Sequence, residues 1–324
     1  MSAPRIAIII NSFNRLGLLK QCLSTLSESI SQSESATDFV AVVYDAGSTD
    51  GSREWLDKEN EKFSFKVEII SSENGADTSF SAGINSAVAY AEEKFNQLHY
   101  LLFYETDNQI LKFDPLFQAI NQLRSRKELA ACGFTVRHHD GSPAGVGQPF
   151  PSLVNFSLGK NIVSHLNLEA IPYRWERNLQ GVEFSEVDVV YTSPLLVKLD
   201  AWKDSGGFDA RTFPFSDCDI DWARRLRKKG WKMGVIKSSE VIHDNLNVTS
   251  AWSKMRAIHS HRGRLRYFRK HRPFAVFAVW PVFLVLRHIM ELISIKIVVK
   301  EHNRQIQLSS QFWNLLKSCP KSYE

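Results

Sequence analysis

Three short acidic segments carry the side chains of this 324-residue chain best suited to chemistry. In VVYDAGSTDGS, Asp45 ends an apolar run and is followed by Gly47, Ser48, Asp50 and Gly51. An acid at a strand end, followed by small residues, can grip a ribose or a base edge. A solvated Asx turn capping the next helix is the ordinary alternative, and the residues alone leave the two even. In YLLFYETD, Glu105 and Asp107 stand one residue apart just past another apolar run. Two carboxylates so spaced can surround a hard divalent cation that also binds a diphosphate, although taken singly E-x-D is more often a polar loop. In FPFSDCDIDWARRLRKKGW, Asp217, Asp219 and Asp221 precede a helix of basic residues, and acids in the first turn with Lys/Arg towards the end suit the helix dipole. Three acids exceed what capping requires, and a carboxylate near an acceptor hydroxyl can serve as general base. His243 follows the strand-like Val241–Ile242. A lone histidine is usually structural, but as a fourth group it can complete a metal site.

These segments need elements to hold them. Ile6–Ile10, Phe39–Tyr44, Lys66–Ile70 and Tyr100–Tyr104 are near-continuous apolar runs, as strands buried on both faces require. Between them, Leu16, Leu19, Leu23, Leu26 and Ile30 recur at helical spacing, with Asn14 expected as N-cap. Ser81–Phe95 repeats the pattern more weakly, and Asp114-Pro115 opens a third helix. The alternation predicts an α/β fold with a Rossmann-like, mostly parallel central sheet and helices on both faces. Ligands then belong at the carboxyl ends of the strands, in the loops after Ile10, Tyr44 and Tyr104. No GxGxxG follows the first strand and no GxxxxGK[ST] occurs, which disfavours a dinucleotide-dependent dehydrogenase and a P-loop enzyme. Residues 141–186 read as a long irregular connection suited to a lid or an acceptor-binding wall.

Composition bounds the rest. With 44% hydrophobic and 23% charged residues, the chain is not wholly disordered. Its four cysteines form no CxxC pair, so neither a disulfide framework nor a zinc framework is expected. The start, MSAPRIAIII, lacks a basic region and cleavage site, and a cytoplasmic location is expected. The net charge of +5 conceals a split. Residues 251–324 hold 14 Lys/Arg against 3 Asp/Glu, or +11, which leaves 26 against 32, or −6, for residues 1–250. Residues 254–272 carry eight Lys/Arg and three His, followed by the apolar run PFAVFAVWPVFLVL. Fourteen uncharged residues are too few to span a bilayer. A basic segment beside an apolar one suits an in-plane helix on an anionic leaflet, so residues 254–299 are expected to bind an anionic membrane surface. A helical pair packed on the core, or forming a homodimer, is the alternative. The acidic body and the absence of an RNP-like aromatic set argue against nucleic acid.

Taken in order, these segments resemble a family 2 glycosyltransferase of GT-A fold, of the bacterial rhamnosyltransferase-like kind. IAIIINSFNR is similar to that family's opening strand and its S/T-aromatic-Asn-Arg turn, VVYDAGSTDGS to its nucleotide-binding segment, and LLFYETD to its D-x-D segment. ENGADTSFSAGIN resembles its Asn-and-Gly loop with a later Asn. SGGFD with DCDIDWARRLRKKGW resembles the GGFD and acidic block, and IHDNLNVTS the terminal His segment. The resemblance implies a GT-A domain over 1–250, with a nucleotide-binding half (about 1–110), an acceptor-binding half (about 111–250) and a helical extension over 251–324. It implies that Ser12, Asn14, Arg15, Asp45, Asn74, Asp77, Asn85 and Glu105 bind a nucleotide-sugar. Asp107, His243 and Glu105 would hold a divalent cation, Mn2+ or Mg2+, and Asp219 or Asp217 would be the catalytic base. The acceptor would be a glycan or lipid-linked oligosaccharide in cell-surface polysaccharide synthesis, O-antigen included, at the inner membrane face. Glu105 stands where the family has Asp, Cys218 where it has Glu, and the Asn74 loop is about three residues longer. A sugar nucleotidyltransferase is disfavoured because NSFNR replaces a glycine-rich loop. An inactive membrane-bound scaffold is kept open by Glu105 and Cys218.

Overall fold

The first strand, β1 (Arg5–Ser12), has Ile6 to Ile10 wholly removed from solvent, because strands flank it on both sides and helices cover its faces. In this computed structural model, the described residues are 4–33, 37–72, 77–145, 147–159, 163, 166–168, 170, 172–178, 181–243, 251–272, 289–290, 292–297, 300 and 302–318. β1 pairs in parallel with β2 (Asp38–Asp45) and β4 (Leu98–Phe103), and β2 pairs in parallel with β3 (Lys66–Ser71). The connections are α1 (Leu16–Ser31), α2 (Ser52–Glu59) and α3 (Phe80–Lys94). Leu19, Leu23, Leu26 and Ile30 are the buried stripe of α1. On α3, a Cβ at Gly83 would lie 2.7 Å from Asn11 Nδ2 and from Tyr44, so only glycine lets this helix approach β1 and β2 so closely.

The chain continues through β5 (Asn108–Ile110), α4 (Asp114–Ser125), β6 (Leu129–Phe134), β7 (Gly147–Gln148), α5 (Leu153–Leu158), β8 (Glu176–Arg177), β9 (Glu183–Val187), β10 (Val189–Val190) and β11 (Leu195–Lys198). It then forms α6 (Leu199–Ser205), α7 (Cys218–Lys228), β12 (Lys232–Ile236), β13 (Val241–His243), α8 (Ala251–His271) and α9 (His302–Ser318). The central sheet orders nine of these strands as β3-β2-β1-β4-β11-β6-β12-β9-β8. Only β11 and β9 run against the rest, so the sheet is mostly parallel, as expected. Two small antiparallel pairs, β10-β7 and β13-β5, stand outside it. Phe103 at the end of β4 sits in an aromatic cluster with Trp202, Phe208 and Trp222, at centroid separations of 5.0 to 6.4 Å.

The acidic block sits as the helix dipole favours: α7 begins at Cys218, with Asp219 and Asp221 in its first turn and Arg225, Arg227 and Lys228 in its last. One feature differs from the sequence reading. Asn14 is not an N-cap. It adopts φ +50°, its Oδ1 accepts the Thr49 N–H at 2.7 Å, and the first α1 amide, Leu16 N–H, donates instead to Asp50 Oδ2 at 2.8 Å.

The chain divides into two compact units. One comprises residues 1–149, 172–214 and 218–247 and contains the whole sheet. The other joins residues 150–171, 215–217 and 248–324. In this second unit Leu265, Tyr267 and Phe268 of α8 are buried, and Phe268 meets Phe156 of α5 at 5.4 Å. Among the described residues no helix is long and apolar enough to cross a membrane. The run 273–286 lies outside those residues, as do 287 and 288, so part of the segment expected to bind membrane does too.

Candidate active site

The loops after β1 and β2 interlock. Register places Ser12 opposite Asp45, so both strand ends open at one level. Asp45 is buried, and both of its carboxylate oxygens lie 3.2 Å from the Ser48 N–H that donates to them. Ser48 Oγ accepts the Asn14 N–H at 2.9 Å, which closes the cross-link begun by Asn14 Oδ1 and Thr49. Asp50 caps two helices at once, since it also accepts from Ser52 Oγ at 2.6 Å and from Ser52 N–H at 3.2 Å. Partial burial raises its carboxyl, but the Ser52 and Leu16 hydrogen bonds outweigh that and hold it below the ordinary 3.8. Ser12 Oγ is buried without a hydrogen-bond partner among the described residues. The turn chemistry of this segment is thus divided: Asp50 caps the helices, while Asp45 takes the Ser48 N–H at the end of its strand.

The acidic turn is held by β5 and β13, which pair Asn108 with His243. That pairing brings His243 to Asp107, from a residue 136 positions earlier, with Nδ1 3.4 Å from Asp107 Oδ1. One ligand atom from each of Glu105, Asp107 and His243 lies within 4.8 Å of the others. Arg15 approaches from the first loop, its Nη1 3.6 Å from Asp107 Oδ2 and 3.4 Å from Thr106 Oγ1. Burial, and then the neighbouring charge of Glu105, push the Asp107 carboxyl up, while His243 and Arg15 pull it back. Asp107 Oδ1 is buried and accepts no hydrogen bond from the described residues.

Two further residues position the cluster, and neither stood out in the sequence. Asn108, fully buried, accepts the Glu105 N–H on Oδ1 at 2.9 Å, which turns its amide NH2 to His243 Nδ1 at 2.7 Å. In that orientation the ring nitrogen is the acceptor, so two acceptors, Nδ1 and Asp107 Oδ1, face each other at 3.4 Å. Thr192, just before β11, donates its hydroxyl to Glu105 Oε1 at 3.0 Å. A buried carboxylate oxygen without a donor, a second carboxylate and an imidazole nitrogen form a donor set that fits a divalent cation of the Mg2+ or Mn2+ kind.

The remaining candidates fall in several places. Asp219 is half-buried, and its Oδ1 accepts the Ile220 N–H at 2.9 Å. Asp221 is fully buried and structural. It pairs with Arg225 at 2.9 Å, and Arg225 in turn donates to the carbonyls of Ser205 and Gly207. Asn85 closes a two-way amide bridge with Phe208, donating to its carbonyl at 2.8 Å and accepting its N–H at 3.0 Å. Asp77 is exposed and accepts the Ser79 N–H at 2.9 Å, at the start of α3. Asn74 lies outside the described residues. Asp217 belongs to the second unit, at φ +62°, with its carboxylate 2.8 Å from Arg264 Nε. Burial pushes its carboxyl up, and Arg264 partly reverses that. Cys218 is buried and stands where a carboxylate was the family expectation.

Residues 7–171, which are 165 of the 324, match the family described as Glycosyl transferase family 2. The chain belongs to that family. Two curated proteins from strains of Mycobacterium tuberculosis, each named N-acetylglucosaminyl-diphospho-decaprenol L-rhamnosyltransferase, are 33% identical to it over 123 residues. The match covers 37% of this chain and spans only 38% of the length of those relatives. Among solved structures, the mannosyltransferase PcManGT from Pyrobaculum calidifontis, in complex with GDP-Man and Mn2+, aligns with a TM-score of 0.55 at 14% identity, over 99% of this chain and 87% of its own. GalNAc-T7 with UDP, GalNAc and Mn2+ aligns with a TM-score of 0.56 at 9% identity, over 82% of this chain and 48% of its own. At such identities the likeness establishes the shared GT-A fold.

Proposed function

We propose that the protein is a divalent-cation-dependent, inverting glycosyltransferase. It takes a hexosyl or deoxyhexosyl group from a nucleotide-sugar and passes it to a glycan or lipid-linked oligosaccharide acceptor. The observation that carries this reading is the convergence of Glu105, Asp107 and His243 at the carboxyl ends of the parallel strands, beside the interlocked loop of Asp45 and Asn14. In this reading Asp45 and Ser12 hold the nucleoside, with Asn14 and Arg15 nearby. Asn74, Asp77 and Asn85 belong to the donor loop and the helix behind it. Glu105, Asp107 and His243 hold the cation, which supplies charge neutralisation for the leaving diphosphate.

Asp219 takes the acceptor proton as the acceptor oxygen displaces the diphosphate. The positive end of α7 stabilises its charge, and direct displacement inverts the anomeric carbon. Asp217 is the weaker candidate for the base because Arg264 already engages its carboxylate. The cytoplasmic face of a membrane is the natural site for a lipid-linked acceptor, and the basic C-terminal segment supports residence there.

The test is a donor-hydrolysis screen with Mn2+ or Mg2+ and a panel of nucleotide-sugars, reading released nucleoside diphosphate. Release from one donor, lost with chelator, is the expected result. Donor binding by calorimetry that is indifferent to both chelator and Asp107→Ala would sink the reading. Asp219→Asn is expected to lower transfer by at least about a hundredfold, the usual scale of general-base catalysis, while donor affinity is kept.

A further inference from the structure

Among the described residues, most of the exposed large apolar side chains lie in the second unit, and six of them, Ile289, Met290, Ile293, Ile297, Ile306 and Trp313, are helical. Residues 292–297 are helical, with Ile293 and Ile297 54% and 76% exposed, and the helical Ile289 is also exposed. Spacing of four places Ile293 and Ile297 on one face, while Ile295, on the opposite side, is only 2% exposed. The segment thus buries one apolar face and shows another to water. Gln305 of α9 fixes that orientation, donating its amide to the carbonyls of Lys296 at 3.0 Å and Ile295 at 3.5 Å. On α9 itself, Ile306 and Trp313 are 55% and 52% exposed and seven residues apart, again on one face. Lys296, next to Ile297 in the same helix, is exposed, and so is Lys300.

We infer that this face is an interfacial lipid-binding surface for an anionic bilayer, resting on the transferase reading only for its biological purpose. The apolar side chains enter the boundary between headgroups and acyl chains, and the lysines meet lipid phosphates. Charge decides the occupant. Residues 251–324 carry a net +11, which an anionic surface complements. A second copy packed symmetrically over the same face would instead bring Lys296 and Lys300 against their own equivalents. The helical residues 292–297 rise about 9 Å along their axis, enough to lie in the interface and too little to span it.

The structure also moves the contact away from part of the basic helix. Arg264, a natural choice from the sequence, is engaged by Asp217, so insertion of isoleucine is the main determinant and charge the second.

The experiment uses the full chain with vesicles of phosphatidylglycerol in phosphatidylcholine, and of phosphatidylcholine alone. Co-sedimentation, melting temperature, size in solution and metal-dependent donor hydrolysis are read together. Ile293→Gln with Ile297→Gln is expected to weaken binding to anionic vesicles by roughly tenfold or more, with melting and donor hydrolysis unchanged. Lys296→Glu with Lys300→Glu is expected to weaken it at low salt and to converge with wild type at high salt. Any of three results overturns the inference: wild-type protein ignores anionic vesicles, the glutamine variant binds them fully, or the variant loses a wild-type dimer while vesicle binding is unaltered. Because donor hydrolysis needs no vesicle, loss of the membrane surface is distinguishable from loss of the transferase reading.

Discussion

Asp107 illustrates what burial does to a single carboxylate at the end of a strand. It is buried, its Oδ1 has no hydrogen-bond donor among the described residues, and Glu105 beside it adds like charge. A carboxylate so placed is costly without a cation, and Arg15 at 3.6 Å offsets only part of that cost. Asp107→Ala is therefore expected to remove metal-dependent nucleoside diphosphate binding, measured by calorimetry with and without chelator. Glu105 is longer than the aspartate expected at its position, and Thr192 holds its longer arm through Oε1 at 3.0 Å. Removing that hydroxyl with Thr192→Val should weaken Mn2+ binding by about three- to tenfold, the worth of about one hydrogen bond. In a Glu105→Asp background the same substitution should change little, because the shorter side chain cannot reach. Paramagnetic titration of Mn2+ on the four proteins distinguishes the two cases. The E-x-D spacing was legible in the sequence. Thr192 was not, because it lies 87 residues from Glu105 and no spacing rule joins them.

At the scale of elements, the loops are ordered by the ends of helices. Asp50 caps α1 and α2 together, so Asp50→Ala should cost about 1–2 kcal/mol in urea denaturation, nearer the lower figure because the residue is exposed. Its carboxyl is held below 3.8 in the folded protein. The stabilisation is complete above that ordinary value and is lost as pH falls through the lowered one, so the unfolding curves of wild type and variant should converge in acid. Deeper in the same unit, Asp221 and Arg225 tie α7 to the turn after α6. Arg225→Met removes the guanidinium from beside a fully buried carboxylate and should cost about 3 kcal/mol by the same measurement. The i, i+4 spacing of that pair was visible in the sequence. That it serves structure, while Asp219 two residues earlier remains half-buried, required knowing which face of α7 meets the core.

At the scale of the whole molecule, the proposed chemistry and the inferred lipid contact fall in different units. The unit that holds the sheet also holds Asp45, Glu105, Asp107, Asp219 and His243. The unit built around residues 248–324 holds the exposed isoleucines and the whole of the basic excess. Wild-type protein stripped of metal should thus still sediment with anionic vesicles while releasing no nucleoside diphosphate, and restoring Mn2+ should return the second property alone.

What the sequence determined by itself was local. Continuous apolar runs must be buried strands, leucines at helical spacing must cover them, and acids at strand ends must fall at one edge of a parallel sheet. Each follows from periodicity and burial within about 15 residues, and the order of motifs was enough to suggest the family. The tertiary structure decided the rest. β5 pairs with β13 to set His243 against Asp107, Asn108 orients the ring, and Arg264 takes Asp217 out of the acidic block. These contacts join residues from 47 to 136 positions apart. Their physical basis is the same in each case: a buried polar group must find a partner wherever the fold brings one, and sequence distance carries no information about where that is.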